Sequence, residues 1–392
     1  MTALHQELEA LLALDPDQVV KAQRHYWANA TGARGGRILL FGAGALGRWT
    51  LAGLRRAGLD ALAFLDNDAQ KHGKIIDGLT VLDPRDAVAR YGDSATFVVA
   101  TYNTSAPRRQ LAAHGAAAVV PFPWLFASMP ETFLPHGCLE LPHPIFEQAA
   151  DVRCAFDLMA DDEMRQVFLS QLRWRLFLDF DRVPSPQTPS LRDSEYFPDD
   201  LYTYRPDEVL VDCGAFDGDT ARRFLSKRGD AFKKIHACEP DPDTRFRFQQ
   251  WSASLPFSIQ SKISLEPVAV GAHPGRARFS ATGTAGSAVL IAGSSEIEVA
   301  TIDDLTRATP PTLIKMDVEG AELDALAGAR DSIQQHTPVL AICIYHASDH
   351  LWRVPLLIAS MSPEYSFFLR AHAEDCWDVS CYAVPKDRVV KI

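Results

Sequence analysis

The chain has 392 residues, 47% of them hydrophobic, and a formal net charge of −11. That length makes two domains the natural expectation, each with enough apolar material for a core. The acidic balance argues against nucleic-acid and anionic-membrane partners, which need clustered Lys and Arg, and the seven scattered cysteines show no zinc-type spacing, so a reducing compartment fits better than a disulfide framework.

Met1-Thr2-Ala3-Leu4 has no leader-like basic and apolar regions, and no run is long and apolar enough to span a bilayer. The expectation is a soluble, cytoplasmic protein acting on a small molecule, with a homo-oligomer left open. Four regions are expected: a helical segment over 1–35, a Rossmann-like domain over 36–122, a connector over 123–205 and a second α/β domain over 206–392.

In the first region Leu4, Leu8, Leu11, Leu12, Val19 and Val20 recur at helical spacing, and Pro16 separates two short helices. Residues 37–47 then read as a strand running into Gly42-x-Gly44-x-x-Gly47. A helix over 48–57 and a strand over 61–65 follow, ending at Asp66. An acid about 20 residues past such a turn completes the strand–turn–helix–strand setting of a dinucleotide site. Gly42, Gly44, Gly47 and Asp66 are therefore the candidates for a nucleotide or NAD site. A short strand over 78–81, a helix over 84–91, a buried strand over 95–100, a helix over 106–114 and a strand over 118–120 complete the unit. Phe41-Gly42-Ala43-Gly44, Leu65-Asp66-Asn67-Asp68 and Gly73 resemble the small nucleotide- or nucleotide-sugar-binding Rossmann domains attached to sugar-modifying enzymes. A ligand site and a packing-only domain are both open readings here.

In the connector, prolines from Pro121 to Pro144 give a loop-like start, and residues 147–180 read as one or two helices. Residues 184–190 read as a stiff, extended break. The second α/β region opens on Val209-Leu210-Val211-Asp212-Cys213-Gly214, a buried strand that turns through Gly214 and Gly218 into a helix. Such a turn brings backbone N–H groups and a helix N-terminus toward a ligand, and glycines leave it room. Residues 234–238 form a second strand ending at Glu239, placed to hold ribose hydroxyls. A helix over 243–252 and a third strand over 263–270 follow. Residues 277–281 and 296–300 can pair as a hairpin, with 282–287 as a loop or flap. Thr301 is an expected N-cap. A strand over 312–316 meets Asp317-Val318-Glu319-Gly320-Ala321-Glu322, a strand over 338–345 ends at His346, and 365–370 and 381–385 are expected as antiparallel closing strands.

Asp212-Cys213-Gly214-Ala215-Phe216-Asp217-Gly218-Asp219-Thr220, then Cys238-Glu239-Pro240-Asp241, then Ile314-Lys315-Met316-Asp317-Val318-Glu319-Gly320-Ala321-Glu322 resemble the FkbM family of S-adenosylmethionine-dependent methyltransferases. The resemblance runs from about residue 196 to the C-terminus. It implies an α/β protein of two Rossmann-like domains, the C-terminal one a class I methyltransferase fold with a mostly parallel seven-stranded sheet and an antiparallel closing strand. It also implies S-adenosylmethionine held by Asp212, Gly214, Ala215, Phe216, Asp217, Gly218, Thr220, Glu239, Pro240, Val270 and Asp317, with the segment around Tyr196 folding over it.

The reaction expected is O-methylation of a sugar, glycan precursor or natural product. Losing a hydroxyl proton calls for a base. His346 at a strand end is the first candidate, with Asp317 and Glu319 as alternatives. Asp317, Glu319 and Glu322 are a candidate Mg²⁺ set, since hard cations prefer oxygen. Glu322 equally suits the N-terminal turn of a helix, where a carboxylate meets the helix dipole. An NAD-dependent sugar oxidoreductase centred on Gly42–Gly47, and a non-catalytic nucleotide sensor, are the alternatives.

Overall fold

The computed structural model describes residues 2–180, 194–280, 288–289, 295–373 and 375–390. The chain forms two units, each drawn from separate stretches of sequence. One comprises Met1–Ala149, Leu169–Ser185 and Ala373–Trp377; the other comprises Ala150–Phe168, Pro186–His372 and Asp378–Ile392.

In the first unit the helices Ala3–Leu12 and Pro16–Thr31 meet at Pro16. It fills the first turn of the second helix, where its missing N–H costs nothing, and Asp15 caps that turn. The short apolar runs become strands β1 Ile38–Phe41, β2 Ala61–Leu65, β3 Ile75–Ile76, β4 Leu79–Leu82, β5 Thr96–Val99 and β6 Val119–Pro121. They form a six-stranded sheet in the order β3-β4-β2-β1-β5-β6, parallel except for the β3–β4 pair. Its core is Leu39, Phe41, Leu65, Phe97 and Val99 against Leu111. Strand order reverses at β1, so Gly42 and the Ala100–Thr104 segment share the carboxyl edge where such sheets hold ligands. In the same unit His136 stacks on Trp49 and Tyr102, with ring centroids 4.9 and 5.9 Å apart.

The second unit carries β7 Val209–Cys213, β8 Lys234–Cys238, β9 Ile263–Glu266, β10 Val268–Val270, β11 Gly275–Ser280, β12 Ala288–Val289, β13 Ser295–Ala300, β14 Leu313–Met316, β15 Val339–Cys343, β16 Tyr365–Ala371 and β17 Val379–Pro385. Seven of them form one sheet in the order β16-β17-β15-β14-β7-β8-β9, with β17 antiparallel to both its neighbours. This is the class I methyltransferase arrangement expected from the sequence. Every residue of β7 and β15 is buried, as continuous apolar strands covered on both faces should be.

One expectation is corrected. Residues 263–270 are not a single strand: β9 joins the large sheet, whereas β10 pairs with β13 in a separate four-stranded sheet of order β10-β13-β11-β12. Pro267 lies at the break, where the missing N–H interrupts a ladder. The expected hairpin is present as β11 against β13. The expected break at 184–190 and flap at 282–287 lie outside the described residues. Among the described residues no helix is long and apolar enough to cross a membrane.

Candidate active site

The site starts where β7 meets β14. Their register sets Asp212 opposite Lys315, and the Lys315 Nζ lies 3.2 Å from Asp212 Oδ1 with both side chains out of solvent. Burial pushes the Asp212 carboxyl up while Lys315 pulls it back. Burial also opposes the lysine's charge, but Asp212, Asp317 and Asp219 outweigh it and Lys315 stays a cation. Its Nζ also donates to the carbonyls of Cys213 (3.2 Å) and Gly214 (2.7 Å). The lysine thus holds the glycine turn from beneath.

Gly214 has φ +79°, and a Cβ there would lie 2.0 Å from the Asp317 carbonyl oxygen; at Gly218, φ +93°, it would lie 2.6 Å from the Trp251 ring. The sequence reading had these glycines making room for a ligand. What they make room for is the protein's own Asp317 turn and Trp251. Phe216, also left-handed at φ +48°, donates its N–H to Glu239 Oε2 (2.7 Å), and Asp241 N–H bonds Oε1 (2.8 Å). Burial raises the Glu239 carboxyl, and these amides oppose the rise.

A cleft of about 890 Å³, open to solvent, runs from this turn to the end of β14. Of the residues expected around a cofactor, Gly214, Phe216, Thr220, Glu239, Pro240, Val270 and Asp317 line it. Asp212 and Ala215 are fully buried, Gly218 backs onto Trp251, and Asp217 is paired with Arg222. These four expected contacts are off the cleft wall. Sequence reasoning did not include Asp219, Phe279, Lys315 and Tyr345 among the cofactor contacts, and all four line the cleft.

At the far end, β14 runs into a turn with two consecutive left-handed residues, Glu319 (φ +53°) and Gly320 (φ +102°). A non-glycine residue held there is strained, a feature that clusters at functional sites. Tyr196 Oη donates to Asp317 Oδ2 at 3.0 Å and Tyr345 Oη to Oδ1 at 3.1 Å. The Tyr196 ring also covers the Lys315 ammonium, 5.2 Å from its centroid. His346, just beyond β15, sets its Nδ1 2.6 Å from Glu322 Oε1; its Nε2 is 3.3 Å from Asp317 Oδ1 and 3.8 Å from Glu319 Oε2.

Burial disfavours charge on every member of this cluster, and the members decide the outcome among themselves. Lys315, His346 and the two tyrosine hydroxyls hold Asp317 below the usual carboxylate range against burial. His346 and His350 do the same for Glu322. Burial, joined by Asp317 and Glu322, lifts Glu319 to about 7. For His346 burial is outweighed by Glu322, Asp317 and Glu319, which raise it to about 9. The expectation of a neutral imidazole ready to take a proton meets an imidazolium held by three carboxylates.

Glu322 also differs from expectation. It is fully buried, and Oε1 accepts from Val318 N–H (3.0 Å) as well as facing His346, while Oε2 lies 3.3 Å from His350 Nδ1. It therefore supports the histidines, and His346 stands in its place beside Asp317 and Glu319.

In the first unit, Asp66 Oδ2 accepts from Ala43 N–H (3.0 Å) and Lys71 Nζ (2.8 Å), and Oδ1 from Asp68 N–H (2.9 Å). The carboxylate expected at a nucleotide site thus bonds the glycine turn through Ala43 and pairs with Lys71. A Cβ at Gly47 would lie 1.8 Å from the Gly42 carbonyl oxygen, so this glycine packs helix on strand; Gly44 faces open space.

Three comparisons bear on this chain. Residues 212–372 match the methyltransferase FkbM domain. The 2-O-methyltransferase NoeI of Sinorhizobium fredii is 29% identical over 153 residues, which are 33% of this chain. The match spans 60% of that relative's length. The crystal structure of methyltransferase FkbM from Methylobacillus flagellatus KT aligns over 97% of this chain and 99% of its own, with TM-score 0.74 and 23% identity, a likeness of fold. The domain match falls on the residues that build the glycine turn, Glu239 and the Asp317–Glu322 turn, and residues 212–372 of this chain carry a methyltransferase FkbM domain.

Proposed function

We infer that this protein moves a methyl group from S-adenosylmethionine to a hydroxyl of a sugar or sugar-bearing small molecule. The observation that carries this reading is one cleft joining the glycine turn and Glu239 at one end to Asp317, Glu319 and Tyr345 at the other. The donor set suits the cofactor: a buried acid for the ribose, a left-handed glycine turn, and apolar Pro240 and Val270 for an adenine face. The likeness to NoeI, a 2-O-methyltransferase, supports oxygen as the acceptor atom.

When bound, S-adenosylmethionine supplies an electrophilic methyl on a sulfonium. The chain supplies alignment, the main requirement of an in-line displacement. Lys315 fixes the glycine turn, Glu239 ties that turn to the end of β8, and Tyr196 and Tyr345 hold Asp317. With the methyl donor bound, the Asp317–Glu319 edge would take up the proton that the acceptor hydroxyl gives up. The oxidoreductase alternative finds Asp66 in an ion pair with Lys71. The test is mass spectrometry of purified protein with S-adenosylmethionine and a panel of sugars and nucleotide sugars. A methylated product with S-adenosylhomocysteine is expected. The reading is excluded if the protein forms no methylated product and binds no S-adenosylhomocysteine in calorimetry.

A further inference from the structure

We propose that Asp317, Glu319 and His346 hold a divalent cation of the Mn²⁺ or Mg²⁺ type at the acceptor end of the cleft. One ligand atom from each lies within 4.8 Å of the other two. The His346 Nε2 distances of 3.3 and 3.8 Å to the two carboxylate oxygens fit one ion. Oxygen and nitrogen ligands about 2.1 Å from a six-coordinate ion stand roughly 3 Å apart at right angles and roughly 4.2 Å apart when opposed.

The histidine separates this cluster from an ordinary patch of acids. Its side chain is 7% exposed, and Nε2 faces Asp317 and Glu319 without a hydrogen bond to either. A buried polar atom left in that condition is costly. Nδ1 is fixed by Glu322, a carboxylate with no exposed surface. A carboxylate on one imidazole nitrogen, orienting the other toward an ion, is the support that metal-binding histidines ordinarily have. Asp317 is oriented in the same way by two tyrosine hydroxyls. Glu319 is held on a left-handed backbone, φ +53°. Two carboxylate oxygens and one imidazole select a six-coordinate, oxygen-preferring ion over a thiolate-type one. The cation occupies the position at Nε2 that a proton otherwise takes.

Asp317 and Glu319 line the cleft, so the remaining coordination positions open on its side. They suit two neighbouring oxygens of one acceptor. The acceptor class, which rests on the methyltransferase reading above, is thus a molecule with a second oxygen beside the hydroxyl to be methylated, such as a vicinal diol of a sugar ring. Bound there, the hydroxyl gives up its proton more readily.

The experiment uses the full-length protein, stripped with EDTA and titrated with Mn²⁺ without cofactor or acceptor. The electron paramagnetic resonance of free Mn²⁺ reports binding, and pulsed spectra report ¹⁴N coupling from an imidazole ligand. One saturable Mn²⁺ per chain is expected, with ¹⁴N coupling, displaced by excess Mg²⁺. Glu319→Gln, at the exposed rim, should weaken binding by about tenfold or more while the fold is kept, and Glu322→Gln by about 10–100-fold. His346→Gln should abolish the ¹⁴N coupling. Binding that is not saturable, that lacks ¹⁴N coupling, or that Glu319→Gln leaves unchanged overturns the proposal. S-adenosylhomocysteine binding measured in EDTA reports on the methyl-donor reading separately, so the two ideas fail by different measurements.

Discussion

Asp212 and Lys315 face each other across β7 and β14, 3.2 Å apart, with 0% and 2% of their side chains exposed. A buried pair of this kind is weak evidence of stability, but losing one partner is costly. Lys315→Met leaves the Asp212 carboxylate alone and releases the Cys213 and Gly214 carbonyls. It should destabilise the protein by about 3–5 kcal/mol in urea unfolding. The double variant Asp212→Leu/Lys315→Met should recover much of that loss. Additive losses would show that the two residues do not act as a pair.

Gly214→Ala tests the contact between the two ends of the cleft. The new methyl meets the Asp317 carbonyl, and the left-handed backbone adds strain of about 1–3 kcal/mol. S-adenosylhomocysteine affinity should fall by about tenfold or more in calorimetry, with a lower melting temperature. Wild-type values for both would mean that the turn tolerates a Cβ and that the contact is unimportant.

Glu239→Gln should cost about 1.5–3 kcal/mol of S-adenosylhomocysteine binding, since a carboxamide cannot accept from Phe216 and Asp241 and still face a ribose with both oxygens. Gly44→Val, in the first unit, should leave that affinity unchanged. A folded Gly44→Val protein that lost the methyl donor would refute the assignment of donor binding to the second unit.

His136 gives a pH signature confined to the first unit. Burial holds its imidazole down at about 4, against 6.5 in an open chain. The unfolded chain therefore takes up a proton between these values while the folded unit does not. Stability is full above pH 6.5 and declines as the pH falls toward 4, by on the order of 2–3 kcal/mol. Melting curves at about pH 7.5 and about pH 5 should show the loss, and His136→Phe should flatten it. An unchanged pH slope in that variant would assign the loss to other groups.

Local signals were legible in the sequence, and convergent ones were not. Strand ends at Cys213, Cys238 and Met316 follow from apolar runs meeting an acid or a glycine, and Thr301 does cap its helix, its Oγ1 accepting from Asp304 N–H at 3.1 Å. The meeting of Tyr196 with Asp317 joins residues 121 positions apart, and that of His346 with Glu322 joins residues 24 apart. No periodicity or spacing announces such contacts. Glu322 was ambiguous for the same reason: a carboxylate in a first helical turn looks alike whether it faces water, a dipole or a histidine. The glycines misled differently. Their need for a side-chain-free Cα was evident, but whether ligand or protein fills the space depends on which loop arrives from β14.

The break at Pro267 divides the cleft between two sheets. The Asp317 end hangs on the large sheet, whereas Val268, Ala269, Val270 and Phe279 belong to strands of the small one. Selection can therefore resize or re-side the small sheet without displacing a carboxylate of the Asp317 cluster. Among descendants of one such enzyme, pocket shape is expected to drift fastest around Phe279 of β11 while the acid–histidine group stays put. Substitution at Phe279 becomes a practical route to a differently shaped cleft.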